Sequence, residues 1–266
     1  MLKNSSIVLW LPRLLLALNY SWTLVSKTIK WSFNSRETST YTYELSARNY
    51  KYLIHTISVV TKKSYSEIDG YFNEVLQNVE LKNYVINKIK SSTVRYKKDL
   101  RCDFASRIGW YAIIRANKSR VVVENGVELG YTAVILCEAI LKNQSEGFNG
   151  FYYGLDINSD AGYFVKTDRY NNIYKLIVGD ALDSISYFTE PIDFYFSDGF
   201  RTNEYELKEF DALSIKLAQN AIIVSNKLKL SDALADFSLL QKKQFVTFQE
   251  EPLNHWYPGS SIGILY

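Results

Sequence analysis

Four carboxylates recur at one kind of position in the second half of this 266-residue chain. Glu124 closes a VVV run and opens E-N-G-V-E-L-G, Asp156 closes FYYGLD, Asp180 stands in V-G-D-A and Asp198 in F-S-D-G. A single Asp in such a place commonly caps a helix or forms a turn. Four acids at successive ends of β-type runs are hard to assign to capping alone. A carboxylate accepts hydrogen bonds from hydroxyl and amino groups. Asp156 therefore reads as the partner of the two ribose hydroxyls of a nucleoside, and Asp180 as the acceptor for an adenine amino group. Asp198 projects into the same crevice. After the first acid, Gly126 permits a tight turn or positive φ, and Gly130 lets the next helix begin close to a ligand. A dinucleotide site would want G-x-G-x-x-G. This chain has no G-x-G, and the acid before its turn would repel a pyrophosphate but suit a cationic ligand.

These residues need elements that bring strand ends together. From Arg120 onward, short β-branched and aromatic runs (RVVVENG, FYYGLDI, YKLIVGDAL, IDFYFSDG, AIIVSNK, FVTFQEE, SIGILY) are separated by helical stretches such as YTAVILCEAILKN and ELKEFDALSIKLA. Strands that are nearly continuous in apolar residues and alternate with helices imply a mostly parallel sheet covered on both faces, an open doubly wound α/β arrangement. A closed eightfold barrel would need more strand–helix units than the segment holds. In open sheets of this kind ligands bind beyond the carboxyl ends of the strands, where the four acids fall. Upstream, residues 41–98 read as helices. Ser46 precedes Tyr50, Leu53, Ile54 and Ile57 at helical spacing, Ser64 and Glu67 form an S-x-x-E capping box, and a third helix runs from about Glu80 to Lys90. His55 lies within the first of these and is assigned no chemistry. The expected organisation is an apolar and basic N-terminal helix over residues 1–35, a helical cap region over 36–105 and the ligand-binding α/β domain over 106–266.

The order E-x-G-x-x-x-G, Asp after the second strand, G-D-A after the third and Asp after the fourth resembles the class I S-adenosylmethionine-dependent methyltransferases. SRETSTYTYELSARNYKYL, GWYAIIRA, the G-Y-T after the glycine turn, YYGLDINSDAGY and EEPLNHWYPGSSIGI are similar to a small-molecule and sugar O-methyltransferase-like subgroup, which extends the likeness over almost the whole chain. The resemblance implies a Rossmann-like, doubly wound, mostly parallel seven-stranded sheet with an N-terminal helical extension. It implies S-adenosyl-L-methionine as cofactor and methyl transfer to a hydroxyl of a small molecule or glycan precursor. It also implies cofactor contacts at Glu124, Gly126, Gly130, Asp156, Asp180 and Asp198, with Tyr43 or Arg107 closing over the cofactor from the helical front. The sulfonium and ammonium groups of that cofactor account for an acidic crevice.

Departures from the family pattern bear on catalysis. Asn125 stands where relatives commonly have Thr. Gly199-Phe200-Arg201 replaces an Asp-His pair, and Ser225-Asn226 replaces the Asp-Asn of metal-dependent relatives. Asp198 with Asn226 is a thin oxygen set for a divalent ion, so no catalytic metal is expected. The catalytic candidates are Asp198 and His255. The latter lies in N-H-W-Y-P-G and has an unperturbed pKa of about 6.5, which suits proton removal. The other reading of His255 is a ring stacked on Trp256 or bonded to loop backbone. Arg201 is read either as a clamp for an acidic acceptor or as a surface residue. Two alternatives to an active enzyme remain open: a cofactor-binding protein with lost or altered catalysis, suggested by the missing Asp-His pair, and a membrane-surface interaction protein, suggested by the front of the chain.

Composition excludes a disordered or collagen-like chain, with 47% apolar and 22% charged residues. The net charge of +3 conceals a split. Residues 1–100 hold fifteen Lys and Arg against seven Asp and Glu, and the remainder sixteen against twenty-one. The run from Ile7 to Val25 carries Pro12, Arg13, Asn19 and Ser21, which count against a spanning helix, and it lacks a signal-peptidase site. Trp10, Trp22 and Trp31 with Lys3, Arg13, Lys27, Lys30 and Arg36 fit a helix in a headgroup region. A helix docked on the body fits equally well. Cys102 and Cys137 form neither a disulfide framework nor a thiolate metal motif, which points to a reducing, cytoplasmic setting, with contact at the inner membrane face through residues 7–31. The expected partners are thus an acceptor molecule, a membrane surface and a further copy of the chain, but no nucleic acid.

Overall fold

The computed structural model describes residues 9–93, 99–200, 202–226 and 228–266; Lys3, Arg201 and the first two residues of the apolar run lie outside them. Among the described residues the first element is α1 (Trp10–Asn34), followed by α2 (Ala47–Thr61), α3 (Tyr65–Leu76), α4 (Val79–Ser91) and α5 (Arg107–Asn117). Strands and helices then alternate as β1 (Val121–Asn125), α6 (Tyr131–Ser145), β2 (Phe151–Asp156), β3 (Tyr174–Val178), α7 (Ala181–Ser186), β4 (Ile192–Ser197), α8 (Asn203–Ser214), β5 (Leu217–Ser225), α9 (Ala233–Gln241), β6 (Phe245–Gln249) and β7 (Ser261–Leu265).

The local signals act as their chemistry requires. Ser46 caps α2 by accepting from Asn49 N, and Ser64 and Glu67 close the capping box on α3 from both sides. Asn78 caps α4, one residue before its first turn. The strands form one seven-stranded sheet in the order β3-β2-β1-β4-β5-β7-β6. The first five run parallel, and β7 enters antiparallel between β5 and β6. Helices cover both faces, which is why β1 is buried along its whole length and begins as the apolar run Val121-Val122-Val123. Alternation divides the strand side chains between two cores. Val122, Phe194, Ile222 and Val224 pack with α2 to α6, while Val121, Val123, Tyr195 and Ile223 pack with α7 to α9. α6 lies deepest: Ala133 to Ile140 are all buried, and each large aliphatic side chain so covered contributes about 1.5–3 kcal/mol.

Two arginine clusters join the helical front to the body. Arg115 on α5 binds Glu74 of α3 at 2.9 Å and Glu146 after α6 at 2.6 Å, and Glu74 also accepts from Tyr111 at 2.7 Å. Arg169, in the β2–β3 connection, bridges Glu80 of α4 at 2.5 Å and Glu138 of α6 at 2.7 Å. Leaving Arg115, Arg169 or Glu138 without a partner would cost more than the pair gains, so the clusters fix how α3 and α4 seat on α6.

Candidate cofactor site

Parallel register sets the carboxyl ends of β1, β2, β3 and β4 side by side: Asn125 is level with Leu155 and with Ser197, and Asp156 with Val178. Above them lies a cavity of ≈ 500 Å³ lined by Asn125, Gly126, Asp156, Gly179, Asp180 and Gly199, together with the apolar Ile157, Ala181 and Phe200 and the ring of Tyr205. That volume falls within the ~300–1,000 Å³ of small-molecule sites.

Asp156 accepts Glu128 N and Asn158 N, each at 2.9 Å, one on each carboxylate oxygen. These bonds lock the side chain while leaving further lone pairs toward the cavity. Asp180 combines two roles. Its Oδ1 caps α7 through Leu182 N at 2.8 Å and accepts from Tyr205 Oη at 2.9 Å, and its Oδ2 has no partner among the described residues. Burial and the bond to Asp180 push the Tyr205 phenol above its ordinary value, so Tyr205 is a donor at any physiological pH. Gly126 is required: its φ is +90°, and a Cβ there would lie 2.6 Å from the Asp198 carbonyl carbon and oxygen. Gly130 has φ +82° and opens α6 without a side-chain cap.

The other expected residues sit behind or beside this cavity. Glu124 does not line it. The side chain is 2% exposed and accepts from Tyr152 Oη at 2.5 Å, and desolvation pushes its pKa up to about 8 against the bond to that hydroxyl. Asp198 directly follows β4, with its N–H donating to Asn125 O at 2.8 Å, and stands directly before the lining residues Gly199 and Phe200. Arg107 starts α5. Its Nε donates to Thr132 Oγ1 at 3.1 Å, and its guanidinium carbon lies 5.4 Å from the Tyr131 ring centroid. Among the described residues no carboxylate pairs with it, although its charge favours ionisation of both Glu124 and Tyr43.

His255 and Tyr43 are placed elsewhere than a base and a lid over the cavity would be. His255 is 3% exposed, and its Nδ1 accepts from Tyr257 N at 2.9 Å. That bond consumes the lone pair a general base needs and leaves the neutral ring's proton on Nε2, 3.4 Å from Glu37 Oε1. The ring stacks on Trp256 at 5.9 Å and meets the edge of Trp31 at 5.4 Å. The structure thus matches the packing alternative for this residue. Tyr43 is buried against the same ring and donates to Glu250 at 2.6 Å. Glu250 also accepts Ser106 N and Ser260 N, so it ties the N-terminal segment, the start of α5 and the β6–β7 connection into one wall. Among the described residues, no group of three or more His, Cys, Asp or Glu is arranged to hold a metal ion.

Sequence reasoning missed Tyr205, Ile157, Phe200 and Tyr152. The two apolar residues carried a usable signal, since each follows closely on a strand-end Asp. The two tyrosines carried none, because each meets its carboxylate only through strand and helix packing.

Residues 123–226, from β1 to just past β5, match the family model described as a methyltransferase domain. The chain therefore carries a methyltransferase domain over the segment that builds the cavity. Among solved structures, it is similar to the S-adenosylhomocysteine-bound methyltransferase PaMTH1 of Podospora anserina, with 14% identity, 75% of this chain and 93% of that chain covered, and a TM-score of 0.47. It is also similar to an O-methyltransferase of Bacillus cereus in complex with S-adenosylhomocysteine, with 14% identity, 74% and 90% covered, and a TM-score of 0.46. The O-methyltransferase TomG of Streptomyces achromogenes, in complex with S-adenosylmethionine, gives 14% identity, 58% and 76% covered, and a TM-score of 0.43. A search of curated proteins finds no match.

Proposed function

We propose that the methyltransferase domain of this chain transfers the methyl group of S-adenosylmethionine to a hydroxyl of a small molecule or glycan precursor. The observation that carries this reading is one cavity, at the carboxyl ends of four adjacent strands, in which two carboxylates face exposed apolar walls. The residues fit the cofactor. Asp156 offers lone pairs to the ribose hydroxyls, Asp180 Oδ2 to the adenine amino group, and Ile157 and Phe200 offer apolar surface to the flat ring. Gly179 leaves space: a Cβ there would meet nothing nearer than Ser184 Oγ at 3.8 Å, so a side chain would occupy the ligand's volume. Arg107, beside the uncapped start of α6 and without an acidic partner among the described residues, is assigned to the cofactor's carboxylate.

When bound, that cofactor supplies an electrophilic methyl group on a sulfonium. The task left to the protein is to align the acceptor in line with it and to exclude water. Asp198, between the cavity-lining loop and the β4 end, is assigned to hold the acceptor hydroxyl and take its proton. The free thiols of Cys102 and Cys137 suit a reducing compartment.

Calorimetric titration of the full chain with S-adenosylmethionine tests the reading. Saturable binding is expected, and Asp156→Ala should weaken it about 10- to 100-fold, the worth of losing hydrogen bonds to a charged acceptor. Absence of heat at millimolar cofactor would overturn the function, whereas unchanged affinity in the variant would overturn the ribose assignment. Binding without turnover on any hydroxyl acceptor would favour a cofactor-binding protein with lost catalysis.

A further inference from the structure

α1 is a 25-residue helix in which no residue is buried. Its exposed apolar residues include Leu16, Tyr20 and Leu24 on other sides, but eight of them form one line. Leu11, Leu14, Leu15, Leu18, Trp22, Val25, Ile29 and Phe33 recur at intervals of three and four, which places them on one stripe along its length. All eight are exposed, Trp22 to 66% and Phe33 to 85%. Contiguous apolar surface of that extent is uncommon on a soluble monomer and marks an interaction face.

The end of the helix fixes where that face points. Trp31 lies against His255 at 5.4 Å and Trp256 at 5.9 Å, and Lys27, one turn earlier, acts electrostatically on Glu251. Beyond the helix, Ser35 Oγ and Arg36 N donate to Asp99 at 3.0 and 2.6 Å. Ile29 and Phe33 are each two residues from Trp31, which at 3.6 residues per turn is roughly 200° around the axis. The side carrying Trp31 and Lys27 therefore holds the body, and the stripe faces away from it.

Three observations identify what covers the stripe. Residues 1–36 contain five Lys and Arg and no Asp or Glu. Helix pairing with a second copy is specified by opposite charges beside the seam, and this segment has no acid to supply them. No described helix is long and apolar enough to cross a membrane. Trp10 and Trp22 are exposed on the helix, where amphipathic rings favour the boundary between headgroups and acyl chains. We infer that α1 lies in the surface of an anionic lipid bilayer, with the stripe in the acyl boundary and Lys30, at the flank of the stripe, within reach of the headgroups. This inference is independent of the methyl-transfer reading.

Vesicle flotation of the full chain provides the test, because aggregated protein does not float. The probes are vesicles of phosphatidylcholine alone and of phosphatidylcholine with one quarter phosphatidylglycerol. The expected result is flotation with the anionic vesicles, weakened by high salt. The double variant Leu18→Glu/Trp22→Glu should abolish it. Lys30→Glu should lower partitioning at least about fivefold, since each basic residue near an anionic surface contributes roughly that factor. Circular dichroism should show both variants folded, because neither touches the core. Absence of flotation, equal flotation with both vesicles, or binding that survives the stripe variant would overturn the inference. A wild-type dimer by light scattering that becomes monomeric in the stripe variant, without vesicle binding, would assign the stripe to a second copy instead. Failure of cofactor binding in the titration above would leave each of these outcomes unchanged.

Discussion

At the scale of single residues, Glu124 shows how a sequence position can be right about place and different in kind. It stands one residue before the end of β1, yet its carboxyl turns into the protein and meets Tyr152. Desolvation raises its pKa to about 8 from an ordinary value near 4.5, so the folded chain keeps a proton that the unfolded chain releases. The stabilising contribution of this group is therefore complete below about pH 4.5, is lost progressively as pH rises, and is gone above about pH 8. Glu124→Gln keeps an acceptor for the Tyr152 hydroxyl and removes the titration. The expected outcome is that wild type loses melting temperature relative to this variant between pH 5 and 9. Parallel curves would mean that Glu124 is ionised in the folded chain. His255 gives the complementary lesson. Its residue type suited a base, but its usable lone pair is taken by the Tyr257 N–H, a bond no spacing rule reveals.

Elements were far more legible than side-chain partners. Capping residues announced α2 and α3, and alternation of β-branched runs with helices announced the parallel sheet. Both are periodic or local signals that burial reinforces. The glycine turn between β1 and α6 was also legible, because only a few residue types accept its geometry. The structure adds the reason for its tightness: Gly126 N donates to Leu155 O at 2.9 Å while the Asp198 carbonyl closes the other side. Gly126→Ala must therefore both strain φ and displace the end of β4, and it is expected to cost about 1–3 kcal/mol in denaturant unfolding. Because the displaced segment carries Gly199 and Phe200 into the cavity, affinity for S-adenosylmethionine should fall as well. A loss of stability with no loss of affinity would separate the turn from the site. The tyrosine partners of Asp180 and Glu124 were invisible in sequence for an equally physical reason. Tyr205 lies 25 residues from its acid and Tyr152 lies 28, and the packing of strands and helices decides that they meet.

For the whole molecule, the modest net charge of +3 divides by location. The basic excess lies in the first hundred residues, and the acidic excess belongs to the body that carries the strand-end carboxylates. The two parts differ in how firmly they are held. α2 to α5 share a continuous core with the sheet and are pinned by the Arg115 and Arg169 clusters, so they cannot be removed without exposing that core. α1 contributes no buried residue, and its aromatic contact with the body is Trp31 against His255 and Trp256. Two aromatic pairs are worth roughly 1–3 kcal/mol beyond area. A chain beginning at Ser35 keeps the bonds to Asp99 and the whole of both cores. It should unfold cooperatively with a melting temperature lowered by about 2–10 °C, and should bind S-adenosylmethionine as the full chain does. Its solubility should rise, because the exposed stripe is gone. Calorimetric scanning and cofactor titration of the shortened chain check both expectations. If it fails to unfold cooperatively, or loses cofactor binding, then α1 is a structural part of the domain and not an appendage carried on its surface.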